Sequence, residues 1–198
     1  MNDKNIINHP QYKVFQKLQQ INPNILLSGS LILVKYGLIK RQVEDLDIVV
    51  SKSDEGFVKF CENLSILSPV PKESKYSDYN ENPDLNHVHV RFMMDGVKVC
   101  VFIWEEFIFY THIKQDNTNE VKISHILNMK KSYVENWKLR NWENPNSSLS
   151  HPVLKNMKSM PPSIQKHNND IKCCIESLNK LKEQFQELKN LINNIGKI

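Results

Sequence analysis

Two aspartates, Asp45 and Asp47, stand in the apolar run Glu44-Asp45-Leu46-Asp47-Ile48-Val49-Val50. Successive side chains of an extended chain point to opposite faces, so both carboxylates share one face while Leu46, Ile48 and Val50 share the other. Aspartate is disfavoured in strands, and a local rule broken twice in three residues points to function. Adjacent carboxylates repel unless a cation joins them, and hard divalent ions such as Mg2+ or Mn2+ take carboxylate oxygens. Upstream lies Leu26-Leu27-Ser28-Gly29-Ser30. Glycine lets a phosphate approach the backbone, and a helix opening there offers unpaired N–H groups and a positive dipole end. A phosphate seat at Gly29 and Ser30 beside a cation seat at Asp45 and Asp47 is the chemistry of triphosphate binding.

Those residues need elements to hold them. Pro10 to Gln20 reads as a helix, with Val14, Phe15, Leu18 and Ile21 on one stripe and a proline in the first turn. Asn22-Pro23-Asn24 ends it. Ile25 to Ser28 reads as a short strand, Leu31 to Tyr36 as the start of a buried helix ending at Gly37, and Asp45 to Val50 as a strand. Ser53-Asp54-Glu55 caps a helix to about Leu64, with Phe57, Phe60, Cys61 and Leu64 on its buried side. Residues 65 to 86, rich in Pro, Ser, Asn and Tyr, read as an irregular flap near the site. Ile123 to Asn136 reads as a helix, 141 to 162 as a linker, and Ser163 to Ile195 as one long helix.

Asp95-Gly96 is the strongest hairpin signal in the chain, joining strands Val88–Met94 and Val97–Trp104. A two-residue turn fixes the register. Met94 then meets Val97, Phe92 meets Val99, Val90 meets Val101 and Val88 meets Ile103, an apolar face that must be core. The other face sets Met93 against Lys98, Arg91 against Cys100, and His89 against Phe102.

The order Gly29-Ser30 followed by Asp45-Leu46-Asp47 resembles the signature of the nucleotidyltransferase superfamily, over roughly residues 24 to 105. The fourteen residues from Leu31 to Glu44 sit at the long end for that motif. The resemblance implies an α/β (α+β) fold, a small mixed sheet flanked by helices, here with a helical C-terminal extension. It implies transfer of a nucleoside monophosphate from a triphosphate such as ATP to RNA, a protein side chain or a small molecule. Asp45 and Asp47 would be the catalytic pair holding Mg2+ or Mn2+, with Gly29, Ser30 and Arg91 on the nucleotide. The family completes the pair with a third acid on a neighbouring strand, to hold metal and activate the attacking group; that position here is Cys100. Glu105 or Glu106 would replace it only if the strand bends.

Whether the chain is an enzyme therefore stays open. Cys100 fits an inert buried thiol or, with its pKa lowered by Arg91, a nucleophile. The alternatives are a degenerate member that binds nucleotide or nucleic acid without turnover, and an antitoxin-type interaction protein acting through its C-terminal helix. Ile123–Tyr133 and Lys166-His167-Asn168-Asn169-Asp170 also resemble the helices that complete the family's acceptor wall. Ordinary helix chemistry reads them instead as solvated Lys166 and His167, with Asp170 favouring the helix dipole.

Length and charge set wider bounds. At 198 residues the expectation is a core over 1–140, a linker over 141–162 and a long helix over 163–198. Its apolar positions, from Ile171 and Cys174 through Leu178, Leu181, Phe185 and Leu188 to Ile192 and Ile195, alternate spacings of 3 and 4. That is a heptad seam, which packs back on the helix before it or forms a coiled coil with another chain, including a second copy. Residues 1 to 119 carry net charge −2 and residues 120 to 198 carry +6, so the C-terminal part reads either as a surface for RNA, DNA or an acidic partner or as a solvated lysine-rich helix face. The longest apolar runs are far short of a membrane span, and the start lacks the pattern of a signal peptide. Cys61, Cys100, Cys173 and Cys174 lack metal-ligand spacing and read as reduced thiols of a cytoplasmic protein.

Overall fold

Pro10 opens helix α1 (Pro10–Ile21) because its preset φ suits a first turn and its missing N–H has no helical partner there anyway. The structure is a computed structural model describing residues 6–68, 87–105, 114–138, 160 and 162–195. Strand β1 (Leu26–Leu27) leads directly into α2 (Gly29–Lys35). Then come β2 (Asp45–Ser51), α3 (Glu55–Leu67), β3 (His87–Met94), β4 (Val97–Trp104), α4 (Ile123–Lys138) and α5 (Pro162–Ile195).

Helix α2 starts two residues before the expected Leu31, and β1 is shorter than 25–28, because Ser28 already serves as the helix N-cap. Residues 65 to 67 belong to α3, against the irregular reading, although Ile66 and Leu67 there are exposed. The flap otherwise lies outside the described residues, as does the linker apart from residue 160 and Pro162, which opens α5.

Among the described residues the fold is mixed α/β, with four strands and five helices. Strand order is β1-β2-β4-β3, with β1 antiparallel to β2, β2 parallel to β4, and β4 antiparallel to β3. The hairpin register is the one its turn demands: Phe92 pairs with Val99, and Arg91 with Cys100. Asp95 and Gly96 have φ of 51° and 75°, both left-handed, which matches the turn to the strand twist. On one sheet face Leu46, Ile48, Val50, Val99, Val101 and Phe92 are wholly buried. Each such side chain contributes about 1.5–3 kcal/mol on removal from water. Helix α1 packs on β2 and β4, α2 on β2, and α3 on β3.

By compactness the chain divides into two units, Met1–Tyr36 with Lys40–Ile126, and Gly37–Ile39 with Leu127–Ile198. The first holds the sheet. In the second, most of α4 joins α5. The α5 seam changes character along its length: Cys174 is buried, whereas Leu178, Leu181, Phe185 and Leu188 are exposed. The side chains of Ile192 and Ile195 lie outside the described residues. No described helix is long and apolar enough to cross a membrane.

Candidate functional site

Asp45 and Asp47 lie on the sheet face opposite the core, at the N-terminal end of β2, and both are half-buried. The parallel pairing of β2 with β4 sets Asp47 beside Cys100 and Asp45 beside Lys98. Ligand atoms of Asp45, Asp47 and Cys100 lie within 4.8 Å of one another. The position that the family resemblance reserves for an acid thus sits next to the aspartate pair, occupied by a thiol.

Gly29 reaches the same place from the other edge. The Ser28 N–H donates to the Asp47 carbonyl oxygen at 2.9 Å, fastening the β1–α2 turn to β2. Gly29 has φ +67°, and a Cβ added there would stand 1.9 Å from Asp47 Oδ2. Only glycine accepts both the left-handed backbone and that approach. Ser30 is buried, and its Oγ accepts from Arg41 Nη2 at 2.7 Å, while Arg41 Nη1 donates to the Gln42 carbonyl at 3.0 Å. The far end of α2 is anchored as well: Glu120 accepts from Lys35 and, at 2.7 Å, from the Tyr36 hydroxyl. Glu120 holds the Lys35 ammonium's pKa up even though burial alone pulls it down.

Cations flank the acids. Lys98 Nζ stands 3.6 Å from Asp45 Oδ2, and Arg91 on β3 pairs with Cys100 across the hairpin. The expectation that Arg91 would activate the thiol is overturned. Burial first, then the charges of Asp47 and Asp45, push the Cys100 pKa well up; Arg91 and Lys98 pull it down but are outweighed. A buried thiol beside two carboxylates is no nucleophile. Glu105 is overturned as a substitute acid too. It is exposed and ion-paired with Lys52 at 2.8 Å, and five residues of strand carry it about 16 Å from Cys100. Glu106 lies outside the described residues.

The second unit holds another polar cluster. Lys130 on α4 donates to Asp170 Oδ2 at 2.9 Å on α5, with side-chain exposures of 7% and 3%. Lys130 Nζ is also 3.4 Å from His167 Nδ1, and the His167 ring stacks on Tyr133. His167 is therefore not the solvated helix residue that ordinary helix chemistry suggested, and Asp170 is buried. Asp170 lies beyond the first turn of α5, too far in to serve the dipole.

Three residues here escaped sequence reasoning. Arg41 left a faint sign, a basic pair with Lys40 between the turn and the acids. Lys130 left a clearer one: it interrupts the buried stripe Ile126, Lys130, Val134 at helical spacing. Lys98 joins Asp45 only through the parallel strand pair, which has no local sign.

The donor set decides what fits. One Mg2+ is commonly held by one or two carboxylates together with substrate phosphates and water, and Asp45 with Asp47 provides that. A two-metal centre needs further hard oxygens, which the Cys100 thiol does not supply. Comparison of the chain with protein-family models, with curated proteins and with solved structures finds no match.

Proposed function

We propose that the chain is a nucleotidyltransferase-like protein that binds a nucleoside triphosphate through one divalent cation on Asp45 and Asp47. The observation that carries this reading is the close approach of Gly29 to Asp47, which sets the Gly29-Ser30 turn against a carboxylate pair. A cation there would neutralise triphosphate charge and orient the α-phosphate. The chain does the rest. Gly29 lets the Asp47 carboxylate lie against the turn, Arg41 holds Ser30 in place, and Lys98 and Arg91 add positive charge beside the phosphates. Transfer of the nucleoside monophosphate to a hydroxyl of RNA, a protein or a small molecule needs a group to take the hydroxyl proton. A thiol at position 100 is poorly suited to it. Turnover is accordingly slow, and binding without turnover is the second reading, favoured by that one residue. Four free cysteines, one of them exposed, support a reducing compartment such as the cytoplasm.

Calorimetry tests the site. Titration with ATP, GTP, CTP and UTP, with Mg2+ and then with chelator, should give binding that depends on the metal. Asp45→Asn combined with Asp47→Asn, which keeps side-chain shape, should abolish the metal-dependent part. Metal-responsive binding that survives in a folded double variant would overturn the assignment.

A further inference from the structure

The mismatch between the hard ion that the resemblance implies and the donors present carries its own consequence. We propose that Asp45, Asp47 and Cys100 form a site for a single thiophilic divalent cation of the zinc class. The inference rests on the aspartate pair being a cation site, and it needs no nucleotide.

Three observations support it. The ligand atoms are gathered within 4.8 Å, on two neighbouring strands of one sheet. A tetrahedral ion with bonds of about 2.0–2.3 Å needs its ligand atoms roughly 3.5 Å apart, so side-chain rotation of about 1 Å completes the cage. Cys100 is only 5% exposed and its thiol lies with the two carboxylates. It is a soft donor among oxygens, which favours zinc over the octahedral, oxygen-seeking magnesium ion. Asp47 is also confined. With Gly29 pressed against it, its carboxylate is held toward the other ligands, and ligands on strands are placed more accurately than ligands on loops.

Coordination displaces the Cys100 proton to solvent as the metal–sulfur bond forms. Two carboxylates and a thiolate then carry three negative charges against the cation's two positive ones. Lys98, 3.6 Å from Asp45, and Arg91, across the hairpin from Cys100, offset the excess. Three protein ligands leave a fourth position open. That is the arrangement of reactive rather than structural zinc sites, and a phosphate oxygen is the ligand suited to it.

Spectroscopic titration of the metal-free, full-length protein tests this. Cd2+ should produce a thiolate charge-transfer band, and Co2+ the visible bands of a tetrahedral ion, each saturating at one equivalent. Zn2+ should abolish both; Mg2+ in large excess should abolish neither. Cys100→Ser leaves Cys61, Cys173 and Cys174 in place and should lose the band. Losing a direct ligand should weaken Zn2+ binding by at least the roughly 10- to 100-fold that losing an outer partner costs. Cys100→Asp should lose the band and gain Mg2+ affinity, which covers the case of a poorly folded serine variant. A band that persists in Cys100→Ser, or displacement of Cd2+ by equimolar Mg2+, would overturn the inference. Failure here with Mg2+-dependent triphosphate binding intact removes the zinc-class site alone. A one-equivalent band without triphosphate binding removes the nucleotide reading and leaves this one standing.

Discussion

Asp47 and Gly29 are a coupled pair, because the space a side chain would need at position 29 is filled by the carboxylate of residue 47. The left-handed φ alone costs an L-residue about 1–2 kcal/mol. Gly29→Ala carries that cost and also forces the Asp47 carboxylate aside. With Asp47→Ala the contacts at 1.9 and 2.7 Å vanish and only the one to Cβ at 2.8 Å remains. The penalty of Gly29→Ala should therefore shrink by about 1 kcal/mol in that background, a coupling typical of residues in contact. Urea denaturation of the four proteins measures it. Strictly additive effects would mean that the turn and the carboxylate are independent.

Helices α4 and α5 are joined by a buried charge pair, Lys130 with Asp170, and what holds them is costly to break by halves. Removing one partner of such a pair strands the other without compensation, at about 3–5 kcal/mol. Lys130→Met should destabilise the second unit by that order. Lys130→Met with Asp170→Leu should recover most of it, because apolar groups of similar volume replace a buried pair at little cost. Chemical denaturation followed by helix content reads both; a double variant no better than the single one would show that the pair does more than hold the helices. The same contact explains the uneven seam of α5. Cys174 is buried one turn beyond Asp170, and the next seam position, Leu178, is exposed.

Both compact units contain thiols whose ionisation is suppressed, which makes stability of the whole molecule fall in alkali. Burial pushes the Cys61 thiol up to about 12, with a smaller push from Glu62. In the second unit burial, then Asp170, pushes Cys174 up to about 11, against the pull of Lys130. An unfolded thiol ionises at about pH 8.5, and well below that value it is protonated in both states. Above that value the unfolded chain gives up protons that the folded chain keeps. The folded state then binds more protons, so stability decreases with rising pH, through about 11 for Cys174 and about 12 for Cys61. Urea midpoints should hold steady from neutrality to about pH 8.5 and decline beyond it, and Cys61→Ala should flatten part of the decline. A midpoint that rises with pH would contradict the burial of these thiols.

Much of the local structure was legible in residue types. Two-residue alternation put Asp45 and Asp47 on one face. Asp95-Gly96 fixed the hairpin register down to Arg91 opposite Cys100, because a tight turn leaves its strands one way to pair. Pro10 marked the start of α1, and the lysine within a buried stripe of α4 was there to be seen. The tertiary structure alone decided that β2 lies parallel to β4, with Asp47 beside Cys100. It also decided that Arg41 meets Ser30, that Lys98 meets Asp45, and that Glu105 faces away to Lys52. Contacts within a turn or helix are set by fixed periods of the backbone, which a sequence displays. Pairings between segments some fifty residues apart are set by how the whole sheet buries its apolar face, and no local pattern encodes them.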